Sequence, residues 1–159
     1  MGASGAGKTA VGTALAGTLG WPFYDADDFH APEAIAQMSR AEPLTDAQRQ
    51  PWLRQLRSVI AETLRDGGSA VIACSALRQE YRDLLAGGNE DAVRFVFLAA
   101  TRELLRERVT RREGHFAGAG LIDSQLAVLE PPSTALAVDA AAPIPDLVAA
   151  IIAYLRPPK

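Results

Sequence analysis

The fold of this 159-residue chain is decided by Gly2-Ala3-Ser4-Gly5-Ala6-Gly7-Lys8-Thr9. The stretch fits the pattern G-x-x-x-x-G-K-[ST] of a phosphate-binding loop, in which backbone N–H groups surround the phosphates of a nucleotide. The glycines let the backbone curl around an anion, and a helix beginning near Lys8 adds its positive end. The motif predicts that Lys8 reaches the β- and γ-phosphates and that the Thr9 hydroxyl binds Mg²⁺. We therefore expect these eight residues to bind a nucleoside triphosphate.

A loop of this kind ordinarily follows a buried β-strand that aims it, and here it is preceded by Met1. That strand would lie centrally in the sheet, where its neighbours would otherwise lose a ladder partner. We expect the native protein to be longer at its N-terminus, with Met1 an internal residue.

Composition is that of an ordinary globular protein, with 48% hydrophobic and 22% charged residues. The length suits one domain over residues 1–159. A net charge of −3 gives no support to nucleic acid or an anionic membrane surface as a partner. The single cysteine, Cys74, excludes an intrachain disulfide and a zinc cluster. We expect a cytoplasmic protein that acts on a small molecule.

Helical patterns alternate with short apolar runs after the loop. Helices are expected over about 9–19, 45–65, 78–85, 101–111, 121–129 and 145–155, and strands at 22–24, 70–74, 95–98 and 135–138. This alternation predicts a three-layer α/β fold with a parallel sheet of four strands, or five with one before Met1. The polar, glycine-bearing segment 112–120 is predicted to be a mobile lid. Within it, His115 either contacts a substrate or anchors the closed lid.

Two carboxylates, Asp25 and Asp27, follow the predicted strand at 22–24. The carboxyl edge of a parallel sheet faces the ligand crevice. One carboxylate there can hold Mg²⁺ through water while the other accepts the proton of an attacking hydroxyl. The alternative is that both simply cap the helical turn that follows.

Several arginines lie on the charged helix before the predicted lid. Arg108 and Arg112 are four residues apart and share a helix face, so both can reach one cleft. Phosphoryl transfer needs positive charge around the transferred group, and these two are the candidates to supply it. Arg102, Arg106 and Arg111 are interpreted as a solvated face paired with glutamates of the same helix.

Further elements follow the phosphate-binding loop in a fixed order. They are Asp25-Ala26-Asp27-Asp28-Phe29-His30, Pro43-Leu44-Thr45-Asp46 with Arg49 and Pro51-Trp52-Leu53, Ala73-Cys74-Ser75-Ala76-Leu77-Arg78 with Tyr81-Arg82-Asp83, Gly114-His115-Phe116, and Asp123-Ser124-Gln125-Leu126 with Leu129-Glu130-Pro131. From Gly2 to about Pro131, the chain resembles the bacterial gluconate kinase family of small P-loop kinases.

The resemblance implies ATP- and Mg²⁺-dependent phosphorylation of the terminal hydroxyl of D-gluconate, giving 6-phospho-D-gluconate, and a homodimer. Gluconate is a polyol carboxylate, so its site needs an arginine for the anion. Arg49, Arg78 and Arg82 are the candidates, and His30 and His115 lie in the matched elements as further substrate ligands.

Similarity to the related shikimate-type kinases assigns the two carboxylates. Asp27 would bind and deprotonate the acceptor hydroxyl, and Asp25 would hold Mg²⁺ through water. The chain departs from the gluconate kinase pattern at several positions, among them Ala34 for asparagine, Gln37 for lysine and Gln48 for aspartate.

Two other functions stay open at this point. The same scaffold serves a kinase for shikimate or another sugar acid. A nucleotide-binding protein without catalysis is the second alternative, if the strand before the loop is truly missing.

Overall fold

The computed structural model describes residues 1–40, 42–111 and 119–155. Its helices are α1 (Lys8–Leu19), α2 (Pro32–Ser39), α3 (Asp46–Arg65), α4 (Gln79–Ala86), α5 (Arg102–Thr110), α6 (Ala119–Val128) and α7 (Ile144–Leu155). Its strands are β1 (Phe23–Asp25), β2 (Val71–Ala73), β3 (Val96–Ala99) and β4 (Leu136–Asp139), and a 3₁₀ turn spans Ala26–Phe29.

The four strands form two parallel pairs rather than the one continuous sheet that the sequence predicted. β1 pairs with β2, and β3 pairs with β4. Met1 and Gly2 lie between the pairs. The Met1 carbonyl accepts a hydrogen bond from the Leu98 amide at 3.0 Å, and the Gly2 amide donates to the Ser75 carbonyl at 3.2 Å. The phosphate-binding loop therefore leaves the same edge at which β2 and β3 end.

A cavity of ≈ 420 Å³ separates the two strand pairs below Met1. Apolar side chains of β2, β3 and the flanking helices line it, including Leu15, Leu56, Ile72 and Val96.

Helices cover both faces of the strands and give the predicted three layers. On one face, α1, α5, α6 and α7 bury an apolar cluster around Leu15, Leu105 and Ile151. On the other face, α3, α4 and the 3₁₀ turn bury a second cluster around Leu53 and Leu56. Cys74 belongs to the second cluster, and burial raises the pKa of its thiol to about 11. The prediction of an α/β fold is confirmed.

Local sequence signals account for most helix ends. Gly7 and Gly20 adopt left-handed conformations at the two ends of α1, with φ of 94° and 68°. Thr45 and Gln48 form a capping box at the start of α3, and the Thr101 side chain caps α5. These caps fix where the helices begin relative to the strand ends.

Two features differ from the sequence expectations. α2 was not predicted, because Pro32 begins it without a side-chain cap and it buries none of its residues. The predicted lid over 112–120 falls mostly outside the described residues, and its last two positions begin α6. No helix in the described ranges is long and apolar enough to cross a membrane.

Candidate active site

The phosphate-binding loop wraps tightly over the end of α5. A Cβ atom built on Gly5 would lie 2.9 Å from the Leu105 carbonyl oxygen, and Gly5 has a φ of 85°. Only glycine combines that backbone conformation with so close an approach. At the other end of the loop, the Lys8 Nζ donates to the Ala3 carbonyl at 3.1 Å, so the lysine folds back over the loop.

Thr9 and Asp25, the two residues predicted to hold Mg²⁺, contact each other beside the loop. The Thr9 hydroxyl donates to the Asp25 Oδ2 at 2.7 Å. Hydroxyl and carboxylate oxygens are the ligands that Mg²⁺ prefers, and the ion keeps several waters when so few protein groups hold it. Within the described ranges, no cluster of three or more His, Cys, Asp or Glu forms a metal cage. The residues therefore fit a Mg²⁺ held by the Thr9 hydroxyl and, through water, by the Asp25 carboxylate.

The same carboxylate also caps the 3₁₀ turn, as the alternative interpretation expected. Asp25 Oδ1 accepts from the Asp27 amide at 3.1 Å. Capping leaves Oδ2 directed at Thr9, so the same carboxylate caps the turn and contacts the Thr9 hydroxyl. Asp27 itself lies exposed on the turn, next to the end of β1.

Two of the three candidate arginines for a substrate anion come together on Asp46. Arg78 Nη1 donates to Asp46 Oδ2 at 2.9 Å, and Arg49 Nη1 donates to Oδ1 at 3.3 Å. The Tyr81 hydroxyl donates to the same Oδ1 at 2.5 Å. The bond from Tyr81 and the charges of both arginines hold the pKa of Asp46 below its usual range. Asp46 and Tyr81, to which the sequence assigned no role, thus form the anchor for the arginine pair.

His30 lies beside this arginine pair. Its ring stacks on Trp52 with centroids 4.5 Å apart and planes 12° apart, and Trp52 Nε1 donates to the Ala26 carbonyl at 2.7 Å. Burial lowers the pKa of His30, with an opposing effect from the Asp27 charge and a further lowering from Arg49. The charges of Asp27 and Arg49 therefore both act on the His30 ring. His30 Nδ1 finds no hydrogen-bond partner among the described residues.

Comparison with known proteins identifies the family. The family profile described as Shikimate kinase matches residues 4–121. The gluconokinase of Gluconobacter oxydans (strain 621H) is 46% identical over 132 residues, which cover 83% of this chain and 74% of that protein. The chain belongs to the gluconokinase family. It is therefore a nucleotide-binding P-loop kinase, a phosphotransferase with an alcohol group as acceptor.

Solved structures agree with this assignment. A gluconokinase from Sinorhizobium meliloti 1021 has a TM-score of 0.83 at 41% identity, covering 96% of this chain and 87% of that one. An unliganded sugar kinase from a Janibacter species has a TM-score of 0.90 at 40% identity, covering 98% of this chain and 91% of that one. The predicted kinase fold is confirmed by both.

Two departures from the gluconate kinase pattern contact each other. Gln48 Nε2 donates to the Gln37 Oε1 at 2.8 Å, and Gln37 Nε2 donates to the Pro43 carbonyl at 3.0 Å. A neutral amide pair therefore stands where the family pattern has a lysine and an aspartate. Gln37 and Gln48 join α2 to the start of α3.

Arg82 has a different task from the anion ligand that the sequence predicted. Arg82 is only 2% exposed, and its Nη1 donates to the Ala76 and Leu77 carbonyls at 3.0 and 3.2 Å. Nε and Nη2 both donate to the Gln79 Oε1. The guanidinium therefore holds the loop after β2, in which Ala76 has a left-handed φ of 42°.

Arg108 lies against the phosphate-binding loop. Its Nη2 donates to the Ala140 carbonyl at 2.8 Å, and its Nη1 lies 3.4 Å from the Ala6 carbonyl oxygen. Arg108 therefore lies next to the phosphate-binding loop, and its role on the phosphates stays a prediction. Arg112 and His115, predicted for the phosphates and for the substrate or lid, lie outside the described residues.

The other arginines of α5 are engaged in ion pairs. Arg111 pairs with Glu107 of the same helix at 2.8 Å, as expected. Arg102 and Arg106 pair instead with Asp123 of α6, at 3.4 and 2.9 Å. The predicted basic face thus serves partly to hold α6 on α5.

Proposed function

We propose that this chain transfers the γ-phosphoryl group of ATP to the terminal hydroxyl of D-gluconate, giving 6-phospho-D-gluconate and ADP. The observation that carries the proposal is the arginine pair on Asp46, in a chain that also carries a complete phosphate-binding loop. An acceptor with a carboxylate for the arginines and a hydroxyl for the phosphoryl group suits these two features. The gluconokinases among the relatives support the same acceptor.

On the nucleotide side, the loop from Gly2 to Thr9 binds the phosphates through its backbone amides. Lys8 and Arg108 supply positive charge at the transferred group, and Thr9 and Asp25 hold Mg²⁺, the aspartate through water. When bound there, Mg²⁺ would offset the negative charge of the phosphates. Arg112 is a further candidate for the phosphates.

On the acceptor side, Arg49 and Arg78 bind the carboxylate. Arginine presents several N–H groups in a planar fork, so each can keep its bond to Asp46 and donate another to the substrate. The neutral ring of His30 offers a donor or an acceptor to one of the sugar hydroxyls. His115 is a further candidate ligand.

Asp27 accepts the proton of the attacking hydroxyl. It lies exposed on the turn that begins at the Mg²⁺ ligand Asp25, so it can face both the acceptor and the phosphates. Since transfer depends chiefly on position and electrostatics, we expect Asp27→Asn to lower kcat strongly without unfolding the chain.

The proposed reaction takes place in the cytoplasm, where ATP is the phosphoryl donor, and the resemblance suggests a homodimer. Nothing in the charge of −3 favours a nucleic acid partner.

A panel of acceptors tests the proposal. The purified chain with MgATP is given gluconate, shikimate and other sugar acids, and ADP release is followed by a coupled assay. We expect turnover with gluconate at a kcat/KM far above that with shikimate. The match to the shikimate kinase profile makes shikimate the informative competitor. Turnover of shikimate without turnover of gluconate would overturn the proposal, and nucleotide binding without any acceptor-dependent turnover would favour a non-catalytic protein.

A further inference from the structure

The side chain of Gln125 on α6 hydrogen-bonds to the phosphate-binding loop. The Ser4 amide donates to the Gln125 Oε1 at 2.7 Å, across 121 positions of sequence. The same peptide unit is held on its other side, because the Ala3 carbonyl accepts from Lys8 Nζ at 3.1 Å and from the Ala6 amide at 3.2 Å. Gln125 therefore fixes the orientation of the peptide that anchors the loop lysine.

α6 is itself firmly attached to the rest of the fold. Ile122 is 1% exposed and packs in the cluster under the loop. Asp123 pairs with Arg102 and Arg106 of α5. Because these contacts lie in the helix turn just before Gln125, the amide is presented from a fixed element rather than from a free chain end.

The chain that leaves α6 then binds the loop before α4. Glu130 Oε2 accepts from the Gln79 amide at 2.6 Å, and the Glu130 amide donates to the Leu77 carbonyl at 2.9 Å. The carboxylate caps the N-terminus of α4, where Arg78 provides no side-chain cap of its own. Glu130 thus fixes the loop from which Arg78 projects toward Asp46.

We propose that Gln125 is a positioning residue for the nucleotide and Glu130 a positioning residue for the acceptor, so that residues 125–130 set the distance between the two substrates. The nucleotide half stands on the geometry of the phosphate-binding loop. The acceptor half rests on the proposed function, because it takes Arg78 as a ligand of the acceptor.

Gln125→Met tests the nucleotide half, since methionine keeps the length of the side chain and removes the acceptor oxygen. Calorimetric titration with MgADP, without any acceptor, should show a dissociation constant raised about five- to tenfold, the value of one hydrogen bond. Gln55→Met makes the same chemical change on an exposed position of α3 and should leave that constant unchanged. A constant within twofold of the wild-type value in Gln125→Met would overturn the proposal.

Amide hydrogen exchange in the unmodified chain tests the role of Gln125 even if Gln125→Met does not fold. Amide hydrogen exchange at Ser4 should be slow and should accelerate in Gln125→Met. Exchange as fast as in an unprotected loop, in the wild-type chain without ligand, would also refute the role of Gln125.

Glu130→Ala tests the acceptor half. The KM for gluconate should rise about fivefold while the MgADP dissociation constant stays within twofold, and Glu130→Gln, which keeps an acceptor oxygen, should restore most of the loss. A fall in melting temperature with both constants unchanged would show a merely structural role and overturn this half. If the wild-type chain does not phosphorylate gluconate but Gln125→Met still weakens MgADP, the proposed acceptor is wrong and the role of Gln125 stands.

Discussion

Replacing Asp25 with asparagine separates its two roles, as a cap and as a charge beside Thr9. In the structure, Oδ1 accepts from the Asp27 amide and Oδ2 accepts from the Thr9 hydroxyl at 2.7 Å. Asparagine caps a helical turn about as well as aspartate, so the free energy of unfolding should change by no more than about 0.5 kcal/mol. The negative charge next to the proposed Mg²⁺ site is lost. Removing such a partner ordinarily weakens metal affinity about 10- to 100-fold.

The assay is the initial rate as a function of free Mg²⁺ at saturating ATP and gluconate. We expect the half-saturating Mg²⁺ concentration of Asp25→Asn to rise about 10- to 100-fold. Asp28→Asn is the matched control, because it removes the same charge from an exposed position of the same turn. Its half-saturating concentration should stay within about twofold of the wild-type value. An unchanged Mg²⁺ dependence in Asp25→Asn, or an equal shift in both variants, would refute the reasoning.

Three further predictions concern the support of the site. A Cβ on Gly12 would lie 2.6 Å from a ring carbon of Phe23, so Gly12→Ala should destabilise the fold by about 1–3 kcal/mol. Gly17→Ala, on the open side of the same helix, should stabilise the fold by up to about 1 kcal/mol. Equal effects of the two substitutions in urea unfolding would contradict this prediction. Trp52→Phe removes a buried hydrogen bond to the carbonyl of the 3₁₀ turn and should cost about 1–3 kcal/mol in the same measurement; a cost near zero would show that this bond carries no stability. Because burial lowers the pKa of His30, the unfolded chain binds the proton first as the pH falls. The free energy of unfolding should therefore decline as the pH falls from about 6.5 through the lower pKa of His30 in the folded chain. His30→Gln should reduce that decline. An identical pH profile of the free energy of unfolding in the variant would show that His30 does not cause it.

Much of the fold could be predicted because local signals agree with the global arrangement. The glycines around α1 and the capping box at Thr45 identify helix ends from a few adjacent residues. α2 escaped prediction because it lies on the surface and buries no residue, so it leaves no apolar stripe in the sequence. The separation of the strands into two pairs depends on Met1 and Gly2, which lie between β2 and β3. Local sequence patterns do not report how the strands pair across this position.

Some features of the candidate site could likewise be predicted from the sequence, and others could not. Thr9 and Asp25 could be paired from the sequence because a phosphate-binding loop and the carboxyl end of a parallel strand meet at one edge. The burial of Arg82 could not be predicted, because arginine is rarely buried and the acceptors of this side chain are backbone carbonyls of its own loop. The contact between Gln125 and the phosphate-binding loop joins residues 121 positions apart and has no local signature.

The most direct test of the central proposal is the identity of the product. The chain is incubated with MgATP and D-gluconate, and the products are analysed by phosphorus and proton nuclear magnetic resonance. We predict equal amounts of ADP and of a phosphate ester whose phosphorus couples to the C6 protons of gluconate. ADP formed without a gluconate ester, or an ester on a different hydroxyl, would contradict the proposed function.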